Sequence, residues 1–129
     1  MTPQQFVRAL KATVHDSAIH NALDQLERPS GRKPAQRVVE LSQWYHSLSQ
    51  HYRSQLRQVV SLAVHGAVFG VLSVLDGVRA VDSGAAEARL ELHAAESTQR
   101  TRLNGSSGPM LHDLYQDAVY PEVFGEAAV

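Results

Sequence analysis

Apolar residues in the first half of the chain repeat at the spacing of an α-helix. Thr2, Pro3 and Gln5 match a capping box with proline at the first helical position, so a helix is predicted to start at once. The apolar spacing continues to Leu26, and a break is predicted near Asp16-Ser17, where either side chain can cap a second helix.

A further helix is predicted from Pro34. Its wide apolar stripe consists of Val38, Leu41, Trp44, Tyr45 and Leu48. We expect Trp44 to anchor the core.

The most apolar segment is Val59–Leu75, which contains no formally charged side chain. It is predicted to belong to a long helix that begins near Ser49 and stops at Asp76-Gly77, because glycine can supply the left-handed cap. A membrane span needs about 20 apolar residues, and the amphipathic segments elsewhere need an apolar partner. We therefore predict a buried central helix, contacted by the N-terminal helices and the final segment, and no membrane span.

Beyond this helix the period changes to that of a β-strand. Apolar and polar residues alternate from 88 to 94, and a turn at Glu96-Ser97 leads into a second strand, which predicts a hairpin near 88–103. Val78–Val81 is a candidate third strand. Pro109 begins a short last helix, and the tail, 121–129, is expected to be flexible.

These elements predict an α+β, predominantly helical fold. It consists of a helical bundle around a central apolar helix, with a small antiparallel hairpin of two or three strands. Residues 1–120 are predicted to form a single domain, in keeping with the length of 129 residues.

Composition excludes several chemistries. The chain has no cysteine, which rules out disulfides, thiolate catalysis and cysteine-ligated zinc. Phosphate-loop, dinucleotide-binding, HExxH and GxSxG motifs are absent from the sequence. The N-terminus lacks the pattern of a secretory signal. We therefore expect a cytoplasmic protein that is not an enzyme and has no cofactor.

The seven histidines do not form a clear metal motif. Asp16, His20 and Asp24 share one helix face and offer suitable donors, but a solvated face gives the same pattern, so no metal site is predicted. The polar residues expected to be buried are His65, Asp76, His112 and Asp113. His65 and Asp76 lie about 16 Å apart along one helix and cannot touch, whereas His112-Asp113 can approach either of them.

Charge is distributed unevenly along the chain. Residues 1–64 carry eight Lys or Arg against four acids, a net of +4, and residues 65–129 carry four Arg against nine acids, a net of −5. The basic group Arg28, Arg32, Lys33 and Arg37 is too sparse and too poor in aromatic residues to predict nucleic-acid binding. The asymmetry either steers a charged partner or reflects complementarity within the fold.

The segments AVHGAVFGVLSVLDGVRAVD (63–82) and LHDLY (111–115), separated by a hairpin and a loop, resemble small bacterial immunity proteins and uncharacterised neighbours of secreted toxins. The resemblance covers the last half of the chain. It implies a single-domain bacterial protein that binds and occludes a cognate toxin without a cofactor. It leaves the oligomeric state open.

The predicted partner surface lies mainly on the hairpin, where the acidic side chains are expected to steer a basic toxin. Its residues are Glu87, Glu91, His93 and Glu96, with Tyr115 from the last helix. The alternative function is a small ligand-binding or metal-binding domain or an enzyme, with a pocket between the central helix and the hairpin.

Overall fold

The computed structural model describes residues 1–80, 88–105 and 107–125. The elements are α1 (Pro3–Leu10), a π-helical turn (Lys11–Asp16), α2 (Ser17–Glu27), α3 (Gln36–Ser47), α4 (Gln50–Leu75), β1 (His93–Ala95), β2 (Arg100–Arg102) and α5 (Leu111–Phe124). This arrangement confirms the predicted α+β, predominantly helical fold with a small antiparallel hairpin.

Helix α1 begins as its capping sequence predicts. The Thr2 side chain accepts a hydrogen bond from the Gln5 backbone at 3.1 Å, and the Gln5 side chain accepts one from the Thr2 backbone at 2.9 Å. Pro3 occupies the first helical position. The capping box thereby satisfies the backbone amides of Thr2 and Gln5.

The predicted break near Asp16-Ser17 is wrong, because the helix continues there through the π-helical turn. Asp16 has helical backbone angles and its side chain caps nothing. The wider turn shifts the helix phase by about one residue, so His15 is fully buried where a regular α-helix would place Val14. Val14 is 42% exposed.

Helix α3 packs against α2 through a face that includes Ser42 and Tyr45. The Ser42 hydroxyl donates to the backbone oxygen of Leu26 at 2.7 Å. The expectation that Trp44 anchors the core is wrong: its side chain is 48% exposed, because the neighbouring position Tyr45 faces α2 instead.

Helix α4 ends at Leu75, and Gly77 follows with a φ of +78°, which confirms the predicted stop. It packs against α5, α2 and the π-helical turn, so the predicted contacts with both halves of the chain are confirmed. The predicted burial is wrong for one side, because α3 packs on α2 and leaves that side of α4 uncovered. Val59 is 58% exposed and Leu62 47%.

Helix α5 supplies the largest share of the core. Four of its side chains are buried and pack with Val7 and Leu72; these are Leu111, Tyr115, Val119 and Val123. The predicted flexible tail is wrong for residues 121–124, which continue the helix and bury Val123. Residues 126–129 lie outside the described part of the chain.

The hairpin is shorter than predicted. Strands β1 and β2 pair antiparallel with Ala94 opposite Thr101, and Glu96 and Gln99 close a two-residue turn. Leu90 is 44% exposed, whereas Leu92 packs against the core. The described part of Val78–Val81 is not a strand, and Val81 lies outside the described residues.

The loop after the hairpin is fixed by Asn104, which is buried. Its side-chain oxygen accepts from the Leu92 backbone at 2.8 Å, and its amide nitrogen donates to the backbone oxygens of Leu75 at 2.6 Å and Leu90 at 2.8 Å. One side chain therefore joins the end of α4 to the hairpin.

Candidate functional site

The acidic side chains of the predicted hairpin surface are paired within the molecule. Glu91 lies 3.2 Å from a ring nitrogen of His93 and forms an ion pair with Arg102 at 3.2 Å. The hydrogen bond from His93, followed by the charge of Arg102, lowers the pKa of Glu91. Glu96 binds the amino group of Met1. Glu87 lies outside the described residues. Glu91 and Glu96 thus have intramolecular partners that offset their charges.

Tyr115 does not belong to an exposed surface. Its side chain is fully buried, which corrects the prediction that it binds a partner. Its hydroxyl lies 2.6 Å from Nδ1 of His15, and burial raises the pKa of Tyr115 to about 12. The phenol therefore stays protonated at neutral pH.

His65 is a buried core histidine, as predicted. Its Nε2 atom lies 3.2 Å from Oε1 of Gln116 on α5. Its ring stacks on Phe69 and on Tyr115, with centroid distances of 5.4 and 5.6 Å. These contacts hold α4 against α5.

The structure brings together Asp76 and His112 of the four predicted buried polar residues. One Asp76 carboxylate oxygen accepts from the His112 backbone nitrogen at 2.8 Å and lies 2.6 Å from its Nδ1 atom. Asp113 approaches the other ring nitrogen at 3.3 Å, but its side chain is 69% exposed, so its predicted burial is wrong.

The Asp76–His112 pair stabilises the start of α5. His112 lies in the first turn of that helix, where backbone N–H groups lack partners within the helix. Among the described residues, no hydroxyl group hydrogen-bonds to the His112 ring. Asp76, at the end of α4, therefore caps the start of α5. No nucleophile among the described residues is attached to the pair.

A second polar cluster lies where the π-helical turn meets the end of α5. His15, Asp16 and Glu122 each offer one potential ligand atom, and these atoms all lie within 4.8 Å of one another. The ammonium group of Lys11 lies 3.2 Å from a carboxylate oxygen of both Asp16 and Glu122. The predicted triplet on α2 does not form this cluster, because His20 pairs with Asp24 at the surface.

The π-helical turn explains how this cluster forms. In an α-helix, positions five apart are separated by about 140° around the axis. Hydrogen bonds in a π-helix join residues five apart, so Lys11 and Asp16 come onto neighbouring positions. The same turn directs His15 into the core. Regular α-helical spacing gave no signal for this cluster.

The charge states of the side chains in this cluster are determined by their burial and by the neighbouring charges. Burial lowers the pKa of His15, against the opposing effect of the Asp16 charge, so its imidazole is neutral at pH 7. Burial works against the charge on Lys11, but the hydrogen bonds that its ammonium group donates to Asp16 and Glu122 outweigh it and raise the Lys11 pKa. A neutral imidazole thus stands beside two carboxylates and one ammonium group.

An open cavity of about 600 Å³ borders this cluster. Asp16 and Glu122 line it together with polar side chains from α2 and α4. These include His20, Asn21, Arg57 and Ser61. The cavity lies on a different part of the molecule from the predicted pocket between α4 and the hairpin.

The outer face of α3 carries a mixed apolar and basic surface. Arg37, Leu41 and Trp44 follow one another at positions i, i+4 and i+7, which places them on one side of the helix. All three are exposed, Leu41 by 43% and Trp44 by 48%. We call these three residues the α3 surface. The preceding segment adds Arg28, Arg32 and Lys33, which are exposed and form no ion pair with any described residue.

Helix α4 is the one described helix that is long and apolar enough to cross a membrane on length and composition alone. Within its most apolar stretch, 28% of the residues are buried. The buried positions His65, Leu72 and Ser73 lie within that stretch. Helix α4 therefore has one side packed in the core and another open.

Comparisons with protein-family models, with curated proteins and with solved structures found no match to this chain.

Proposed function

We propose that this chain is a protein-binding module that covers part of a partner enzyme, and that the α3 surface is its docking site. The observation that carries the proposal is the exposure of Trp44 beside Leu41 and Arg37. Tryptophan and arginine are the residue types that contribute most to protein interfaces. A half-exposed tryptophan on a regular helix has apolar area available for burial against another protein.

The charge around the α3 surface indicates the chemistry of the partner. Four basic side chains lie on α3 or in the segment 28–33 between α2 and α3, and the described structure pairs none of them with an acid. Electrostatic complementarity then favours a partner with an acidic surface. An enzyme whose active-site cleft carries carboxylates has this character.

The resemblance to immunity proteins gives this binding a biological role. In that role, the chain inhibits a cognate toxin by occlusion and performs no reaction of its own. The α3 surface differs from the partner surface on the hairpin that the sequence predicted. The hairpin acids Glu91 and Glu96 are already paired, whereas the basic residues near α3 are available.

The test first identifies a toxin-like reading frame adjacent to this gene and then titrates its product against the chain. We expect Trp44→Ala to weaken binding by about 30-fold, because truncation of a central interface tryptophan costs about 2 kcal/mol or more. Arg37→Glu should slow association and reduce its dependence on salt. Tyr52→Ala is the matched control, since Tyr52 is an aromatic residue on α4 with 58% exposure. It should bind like the wild type.

Three outcomes would contradict the proposal. The first is equal affinity of the wild type and Trp44→Ala for the partner. The second is binding to vesicles of phosphatidylserine and phosphatidylcholine that Trp44→Ala abolishes, because the α3 surface would then bind lipid. The third is a homodimer, seen by light scattering, that the same substitution dissociates.

A further inference from the structure

The Nε2 atom of His15 is buried and has no hydrogen-bond partner among the described residues. The His15 side chain is fully buried. A polar atom left without a partner in the core costs about 1–3 kcal/mol and calls for a specific explanation, such as a bound ion. The other ring nitrogen, Nδ1, is already engaged by the Tyr115 hydroxyl at 2.6 Å.

We propose that His15, Asp16 and Glu122 bind one divalent first-row transition-metal ion, through Nε2 of His15 and one carboxylate oxygen from each acid. One potential ligand atom from each of the three residues lies within 4.8 Å of the others, and Nε2 is the His15 ring nitrogen that has no partner among the described residues. Two atoms bound to one ion at about 2.0–2.2 Å are at most about 4.4 Å apart. The Asp16 and Glu122 side chains, which are partly exposed, therefore close in on the ion when it binds.

The donor set determines the class of metal. One imidazole nitrogen and two carboxylate oxygens suit zinc, iron and manganese, whereas an all-oxygen set would suit calcium or magnesium. A ligating imidazole must be neutral, which fits the burial of His15. The contact with Tyr115 supplies the outer support typical of metal-bound histidines: with the proton on Nδ1 donated to the phenol oxygen, the lone pair of Nε2 is free.

The ammonium group of Lys11 competes with the metal ion for this site. It binds the same two carboxylates, at 3.2 Å each. The metal ion displaces it, and the flexible side chain swings toward solvent, since it is already partly exposed. Removing the Lys11 charge therefore strengthens metal binding, which is the opposite of what its loss does to a purely structural ion-pair network.

The cavity next to the cluster gives the metal open coordination positions. Asp16 and Glu122 lie on the cavity wall, so three protein ligands leave further positions facing the cavity. Arg57 lines the same cavity and provides a positive charge for an anionic ligand of the metal. The site is distant in sequence from the α3 surface, and its test is independent of the proposed function.

The experiment is titration of the metal-free protein with Co²⁺, followed by visible absorption, and with Zn²⁺, followed by calorimetry. We expect one ion per chain. Glu122→Gln and Asp16→Asn should each weaken binding at least about tenfold, and Tyr115→Phe should weaken it about 10–100-fold, the range for outer-shell partners. Lys11→Met should bind several-fold more tightly. Asp24→Asn removes a surface carboxylate next to His20 and is the matched control, with unchanged affinity.

Nuclear magnetic resonance of the imidazole nitrogens identifies the ligand atom directly. Zn²⁺ should shift the Nε2 resonance of His15 and leave that of His20 unchanged. The proposal is overturned if the wild type binds no metal at millimolar concentration, which would leave a buried water as the partner of Nε2. It is equally overturned if Glu122→Gln and Asp24→Asn bind as the wild type does, because binding would then be adventitious.

Discussion

Nδ1 of His15 lies 2.6 Å from the hydroxyl of Tyr115, and this hydrogen bond joins two fully buried residues one hundred positions apart in the chain. It links the π-helical turn to the middle of α5. The two rings also meet edge to face, with centroids 5.6 Å apart. The first helical segment and the last are thereby fixed to each other inside the core.

Tyr115→Phe should lower the free energy of unfolding by about 1–3 kcal/mol. The substitution keeps the ring but leaves Nδ1 of His15 buried without a partner. Urea denaturation measures the loss. Tyr120→Phe, at a site 40% exposed on the same helix, is the control and should change stability by less than about 0.5 kcal/mol. Equal stability of Tyr115→Phe and the wild type would contradict this role for the bond.

Sequence patterns predicted the elements well where regular geometry holds. The capping box at Thr2, the stop at Gly77 and the hairpin turn after Glu96 each depend on local rules of a few residues. The structure reproduces all three. These features can be predicted from sequence because residues close together in the chain satisfy one another's backbone hydrogen bonds.

Sequence patterns gave wrong predictions, or none, where an irregular turn or a contact between distant residues determines which side chains are buried. The π-helical turn shifts the phase of the apolar stripe, so His15 enters the core and Val14 leaves it. Trp44 is exposed because α3 packs on α2 with Tyr45, and no spacing rule distinguishes those adjacent positions. The cluster of His15, Asp16 and Glu122 depends on a residue that lies more than one hundred positions beyond Asp16.

Asn104→Ala should cost at least about 2 kcal/mol of stability. The asparagine makes three hydrogen bonds to backbone groups of Leu75, Leu90 and Leu92, and its removal leaves those groups short of partners. Thermal or urea unfolding gives the magnitude. Asn21→Ala, at an exposed helical position, should change stability by less than about 0.5 kcal/mol. Similar losses in both variants would contradict this account.

Asp76→Ala should destabilise the protein by about 1–3 kcal/mol, because the His112 backbone nitrogen loses its partner and the ring loses its bond to the carboxylate. The neighbouring carboxylate provides the comparison. Asp113 is 69% exposed and contacts the same ring, so Asp113→Ala should cost less than about 1 kcal/mol. If Asp113→Ala proves the more damaging, the proposed cap is wrong.

The two sides of α4 should respond differently to the same substitution. Leu72 is 2% exposed and packs in the core, so Leu72→Ala should cost about 2–5 kcal/mol. Leu62 is 47% exposed, and Leu62→Ala should cost less than about 1 kcal/mol. Denaturation of both variants under the same conditions measures the difference. Equal losses would show that both sides are packed in solution.

The pKa of Glu91 should lie below its ordinary value of 4.5, because His93 donates a hydrogen bond to it and Arg102 lies nearby. Because the folded-state pKa is lowered, these contacts favour folding above the unfolded pKa, and that contribution is lost as the pH falls through the folded value. Carboxyl-carbon NMR titration measures the pKa. His93→Ala should raise it toward 4.5, and an unchanged value would contradict the assignment.

The most direct test of the proposed protein-binding role uses Trp44, the single tryptophan of the chain. Biosynthetic 5-fluorotryptophan gives one ¹⁹F signal, whose shift between H₂O and D₂O reports solvent contact. In the free protein we expect a clear solvent shift, since the side chain is 48% exposed. Saturation with the unlabelled partner protein should move the signal and remove most of that solvent shift. A signal that keeps both its position and its solvent shift in the saturated complex would contradict docking on the α3 surface.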